Sequence, residues 1–170
     1  MLLLPDTEKQ ETEIASGINR EITLLLAESE AKHKPVILLA DDNQEILQYL
    51  EQQLSNEYVI VKAFNGKEAL RLIEEVNPDI VVSDVMMPEM NGLELCRHIK
   101  EEQNLCHIPV ILLTAKSMVS QIEEGLETGA DDYMVKPFRI SLLKARIKNI
   151  LSSREKMKTI YGGTLSLKQF

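Results

Sequence analysis

Five short apolar runs, each followed by a stretch of helical period, constrain this chain more than any other feature. Val36-Ile37-Leu38-Leu39-Ala40 precedes Ile46, Leu47, Leu50 and Leu54, and Tyr58-Val59-Ile60-Val61 precedes Ala69, Leu70 and Ile73. Ile80-Val81-Val82-Ser83 precedes Leu93, Leu95, Cys96 and Ile99, and Val110-Ile111-Leu112-Leu113 precedes Met118, Ile122 and Leu126. The last run, Tyr133-Met134-Val135, precedes Leu142, Leu143, Ile147, Ile150 and Leu151. Strand followed by helix, five times, predicts an α/β fold: a (βα)5 doubly wound parallel sheet. Strands that are apolar almost throughout need cover on both faces, and their crossovers are right-handed. Several strand orders satisfy these rules.

The repeat occupies residues 35–151, and the charge of the chain sits there. The whole chain has 19 Lys+Arg against 27 Asp+Glu, a formal net charge of -8. Residues 1–34 hold four bases and seven acids, residues 152–170 four bases and one acid, so the ends cancel and the middle carries the acidity. That balance argues against direct contact with nucleic acid or an anionic membrane. Cys96 and Cys106 are too few for a disulfide scaffold and lack zinc-site spacing, and Leu2-Leu3-Leu4 ends at Pro5 without a basic flank. A reducing, cytoplasmic location is the expectation. Ile14, Ile18, Ile22 and Leu25 allow a short amphipathic linker helix in residues 1–34, and Gly162-Gly163 mark residues 152–170 as a second linker.

The polar residues that interrupt the pattern fall at the carboxyl ends of the predicted strands. Asp41 and Asp42 follow the first, Asp84 the third, Thr114 the fourth and Lys136 the fifth. Ligands of open parallel sheets bind outside those ends, where the strand order reverses, so these five residues are expected to converge. Three carboxylates in one pocket repel each other unless a cation neutralises them, and Mg2+ suits an oxygen-rich site that keeps positions for water and phosphate. No glycine-rich nucleotide cradle is present, so the phosphate must come from elsewhere. Asp84, ending the central strand, is the candidate nucleophile for an aspartyl phosphate. Asp41 and Asp42 would hold the metal, and Lys136 and Thr114 would bind phosphoryl oxygens.

These residues stand in segments that resemble the receiver domain of two-component response regulators. Leu39-Ala40-Asp41-Asp42-Asn43 is similar to the family's acidic pair, and Val82-Ser83-Asp84-Val85-Met86-Met87-Pro88-Glu89-Met90-Asn91-Gly92 to its phosphoacceptor loop. Leu113-Thr114-Ala115 is similar to its switch threonine, and Gly129 to Phe138 to its last motif, with Tyr133 as switch aromatic and a cis bond at Lys136-Pro137. The resemblance implies the flavodoxin-like strand order 2-1-3-4-5. It also implies direct Mg2+ coordination by Asp42, Asp84 and the backbone carbonyl of Met86, with Asp41 acting through water. A histidine kinase would be the phosphodonor, a downstream output domain the recipient of the signal. The output face would be formed by the fourth helix, fifth strand and fifth helix, and it could also serve a homodimer. Met1-Leu2-Leu3-Leu4-Pro5 resembles the end of a histidine-kinase ATP-binding domain, which implies a hybrid sensor kinase as parent, anchored in the inner membrane and with transcriptional output.

Each residue also has an ordinary reading. Asp-Asp pairs are common on surfaces, Asp84 could cap a turn, and Thr114 could make a local backbone bond; the ordered set is what is specific. Met86, Met87 and Met90 read as apolar packing around a turn rather than a soft-metal box, and His98 and His107 as surface residues. The fragment is expected to accept a phosphoryl group rather than turn over as an enzyme. An aspartyl-phosphate phosphatase would carry a second aspartate at position 86 and a cap domain. A pseudo-receiver would lack part of the set Asp42, Asp84, Thr114 and Lys136.

Overall fold

The computed structural model describes residues 20–27, 34–115 and 129–168. Five strands, β1 (Val36–Ala40), β2 (Val59–Ala63), β3 (Ile80–Asp84), β4 (Val110–Ala115) and β5 (Asp132–Lys136), form one parallel sheet in the order β2-β1-β3-β4-β5. This is the doubly wound (βα)5 arrangement, with the order reversing between β1 and β3. Alternate residues of β1 feed two separate cores: Val36, Leu38 and Ala40 join one face, Ile37 and Leu39 the other. β1 to β4 bury residues on both sides, which explains their apolar runs, whereas the edge strand β5 leaves Val135 exposed.

Helices α1 (Gln44–Leu54), α2 (Gly66–Val76) and α3 (Gly92–Glu101) each begin at an asparagine. Asn43, Asn65 and Asn91 accept hydrogen bonds from the first free N–H groups of their helices, at 2.8–2.9 Å in their shortest contacts. α1 buries Leu47, Leu50 and Leu54 with the C-terminal helix residues Leu143 and Ile147 on one face; α2 and α3 cover the other. The helix expected at Met118, Ile122 and Leu126 lies outside the described residues.

Expectations about the extent of several strands and of the final helix change. The polar residues placed just after β3 and β5 belong to the strands, since Asp84 and Lys136 are their last residues, and β4 runs on through Thr114 to Ala115. β2 starts at Val59 rather than Tyr58 and continues through Lys62, whose ammonium meets Glu51 of α1 at 2.6 Å. The final helix does not stop near Leu151; it extends from Ile140 to Lys168, across Gly162-Gly163. A helix already nucleated on the domain gains one hydrogen bond per added residue without needing a buried face. At the other end, residues 20–27 are helical and Ile22, Leu25 and Leu26 pack against the core on the α2–α3 side, whereas Ile14 and Ile18 lie outside the described residues. Among the described residues no helix is long and apolar enough to cross a membrane.

Candidate metal and phosphoryl site

The sheet register assembles the site. Ala40 is level with Ser83, so Asp41 and Asp84 stand side by side beyond the β1–β3 switch point. Asp84 is level with Leu113 of β4, and Ala115 with Lys136 of β5. Carboxylate oxygens of Asp41, Asp42 and Asp84 all lie within 4.8 Å of one another. Lys136 reaches between two of them, its Nζ 3.5 Å from Asp41 Oδ2 and 3.4 Å from Asp84 Oδ2.

Burial decides how these acids differ. Asp41 is 2% exposed, and Asn43 N–H donates to its Oδ1 at 2.9 Å, so the residue that caps α1 also orients the carboxylate. Asp42 is exposed at the mouth. Burial pushes the Asp41 carboxyl above its ordinary range; the Asn43 bond pulls it down, and the Asp84 charge pushes it up again. Burial also raises Asp84, against Lys136 and the nearby backbone of Met86 and Val85, which lower it. Among the described residues, three carboxylates face one ammonium, an under-neutralised cluster of oxygen donors. Such a donor set fits a hard divalent cation such as Mg2+, which binds carboxylates and keeps some of its water.

Thr114 is buried at the end of β4, and its hydroxyl donates to the Ala115 carbonyl at 3.4 Å, the local backbone bond that an ordinary reading expects. Tyr133 lies two residues before Val135, the register partner of Thr114, and opposite Leu112. Thr114 and Tyr133 therefore share one side of the sheet on adjacent strands, and Tyr133 packs against the α2–α3 core with its hydroxyl oxygen buried. The Lys136-Pro137 bond is cis, as expected. Of the methionines, Met87 and Met90 pack as expected, but Met86 does not: it is 54% exposed beside Asp84.

Sequence reasoning missed two glycines that shape the loop after Asp84. A Cβ on Gly92 would collide with the Asp84 carbonyl oxygen and approach Val85 Cα to 2.9 Å, and Gly92 N–H donates to Val85 O at 2.8 Å. Gly66, at the start of α2, makes a similar approach to Met90. Asn65-Gly66 and Asn91-Gly92 are the only local signals, and both look like ordinary helix starts.

Comparison with known proteins agrees with this geometry. The family model described as "Response regulator receiver domain" matches residues 37–148. "Histidine kinase P4" of Formosa agariphila is 45% identical over 127 residues, which are 75% of this chain and 9% of that protein. "Response regulator MprA" of Mycolicibacterium vanbaalenii is 43% identical over 116 residues, 68% of this chain and 49% of that protein. The chain thus spans half or less of the length of these two curated relatives. Among solved structures, the signal receiver domain of a signal transduction histidine kinase from Syntrophus aciditrophicus superposes with a TM-score of 0.67 at 38% identity, covering 70% of this chain and 91% of that one. A Francisella response regulator receiver domain gives 0.65 at 40% identity, covering 72% and 99%. The chain belongs to the response regulator receiver domain family of two-component signalling.

Proposed function

We propose that residues 35–151 form a Mg2+-dependent phosphoacceptor in a phosphorelay, with Asp84 as the acceptor. The observation that carries this reading is the cluster of Asp41, Asp42 and Asp84 within 4.8 Å, with the ammonium of Lys136 against two of them. A carboxylate oxygen of Asp84 attacks the phosphorus of a phosphohistidine on the kinase. The P–N bond breaks, an O–P bond forms, and the imidazole leaves with a proton. Lys136, already 3.4 Å from Asp84, pairs with a phosphoryl oxygen and offsets the charge of the transferring group. Asp42, Asp84 and the Met86 carbonyl, with Asp41 beside them, would hold Mg2+, which would supply further charge neutralisation. Thr114 hydrogen-bonds another phosphoryl oxygen once its bond to Ala115 is released, and Tyr133, on the same side of the sheet, relays that shift to the face made by β5, the C-terminal helix and the helix that the sequence predicts after β4.

That face serves an output domain or a second copy of the chain. The parent is a hybrid sensor kinase with transcriptional output, a reading supported by one relative named a histidine kinase, which this chain matches over 9% of its length, and by others named probable transcriptional regulators. Residues 1–34 and 152–170 act as linkers, the second of them largely helical. The kinase domain that donates the phosphoryl group can lie in the same chain.

The phosphoryl group is long-lived. The family resemblance implies that side chains at positions 86 and 116 help orient an attacking water, and the sequence has methionine and lysine there, neither of them a carboxylate or amide. Incubation with a labelled small acyl phosphate and Mg2+ tests the reading. Stable labelling with a half-life of minutes or longer supports a receiver; rapid turnover of the donor would identify a phosphatase, and neither would identify a pseudo-receiver.

A further inference from the structure

The loop from Val85 to Asn91 is tied down at three points. Val85 N–H donates to Leu113 O of β4 at 3.0 Å, Gly92 N–H to Val85 O at 2.8 Å, and Gly66 N–H to Met90 O at 3.0 Å. The first two anchor the end of the loop next to Asp84. The third comes from α2, which supplies none of the carboxylates or the lysine. Gly66 is buried, and a Cβ on it would lie 2.7 and 2.8 Å from Met90 Cβ and Cγ and closer still to the Met90 carbonyl oxygen. Only glycine lets α2 approach the loop this closely.

The segment held by this clasp has a reason to move without it. Glu89 sits in the left-handed region with φ +66°, and Met90 N–H turns back to Pro88 O at 2.7 Å. A three-residue turn centred on a non-glycine residue at positive φ is strained and persists only when its surroundings hold it. The clasp closes on Met90, the residue next to that turn. The opposite end of the same loop runs beside Asp84, where the backbone of Met86 and Val85 helps to hold its carboxyl down.

We propose that Gly66 is a positioning residue for the metal site: its clasp on Met90 fixes the loop so that the Met86 backbone stays aligned with Asp84. This inference rests on the reading that the Met86 carbonyl is a Mg2+ ligand. Outer groups that fix a ligand's orientation typically change metal affinity by about 10–100-fold when altered. Asn65 is the internal control. It caps the same helix by accepting from Glu68 N–H at 2.8 Å, so its loss weakens α2 without removing the clasp.

The test is Mg2+ titration of the full chain followed by amide resonances, since the chain has no tryptophan to report by fluorescence. Gly66→Ala should raise the Mg2+ dissociation constant about tenfold, while Asn65→Ala lowers the unfolding temperature and leaves that constant unchanged. Unaltered affinity in Gly66→Ala, or an equal loss in Asn65→Ala, would overturn the inference. Should Gly66→Ala not fold, the wild-type titration decides: the Gly66 amide must shift with the same dissociation constant as Val85 and Met86, and an unmoved Gly66 amide overturns the proposal. Wild-type protein that binds no Mg2+ brings down the metal reading itself, and this inference with it.

Discussion

The two ends of the sheet use aspartate in opposite ways. At the amino ends of the strands every aspartate has its own donors: Asp79 accepts from Val36 N–H at 2.7 Å, and Asp131 from Val110 N–H at 2.8 Å and Lys100 at 2.9 Å. Asp132 accepts from Tyr133 N–H and from Arg146, both at 2.8 Å. At the carboxyl ends, three carboxylates crowd together and one lysine serves two of them. A carboxylate matched to its own N–H or cation is part of the scaffold. Carboxylates in excess of their partners are the donor set that a cation-binding site presents.

Substitutions at the two ends should separate these roles. The largest effect belongs to Lys136→Ala, which removes the cation that pairs with Asp41 and Asp84; labelling by a small acyl phosphate should slow by about 100-fold, read as the initial rate at fixed Mg2+. Near-wild-type labelling would show that Lys136 only balances charge in the resting site. Asp131→Ala, at the amino end, should do the reverse. It strands Val110 N–H and should cost about 2 kcal/mol of stability in urea unfolding, with labelling unchanged in the folded fraction. A labelling defect beyond the unfolded fraction would erase the distinction between the two ends.

A smaller effect sharpens the contrast by its sign. Asp41 and Asp84 have carboxyl groups raised above 3.8 by burial, so each favours the folded state fully below 3.8 and loses that contribution as pH rises through its folded value. Metal-free protein should therefore be less stable at neutral pH than in mild acid, as far as these two groups decide it. Asp84→Asn should flatten this dependence and stabilise the metal-free chain at neutral pH by on the order of 1 kcal/mol. Mg2+ should raise the unfolding temperature of wild type more than that of the variant. A variant less stable than wild type without metal would mean that Lys136 already neutralises the cluster.

Much of this was legible in the sequence, for a physical reason. Strands buried on both faces must be apolar almost throughout, so the polar residues at their ends stand out, and Asp41, Asp84, Thr114 and Lys136 could be picked by position alone. Strand order was not available from periodicity, because every βα unit looks alike; it came from the resemblance. The Gly66 clasp was hidden because it depends on α2 meeting a loop more than twenty residues later, and Asn65-Gly66 reads as a plain helix start. The scaffold role of Asp79 and Asp131 was hidden likewise, since their donors lie 43 and 21 residues away. The C-terminal helix outran its apolar pattern because exposed residues such as Ser152, Glu155 and Lys156 extend it without adding buried surface.

The most direct measurement is Mg2+-dependent labelling by a small acyl phosphate of three proteins side by side: wild type, Asp84→Asn and Asp131→Asn. Wild type and Asp131→Asn should label in Mg2+ and fail in chelator, and Asp84→Asn should not label at all. Retained labelling of folded Asp84→Asn, or equal labelling of wild type without Mg2+, would contradict the assignment of the carboxyl-end cluster as the phosphoacceptor site.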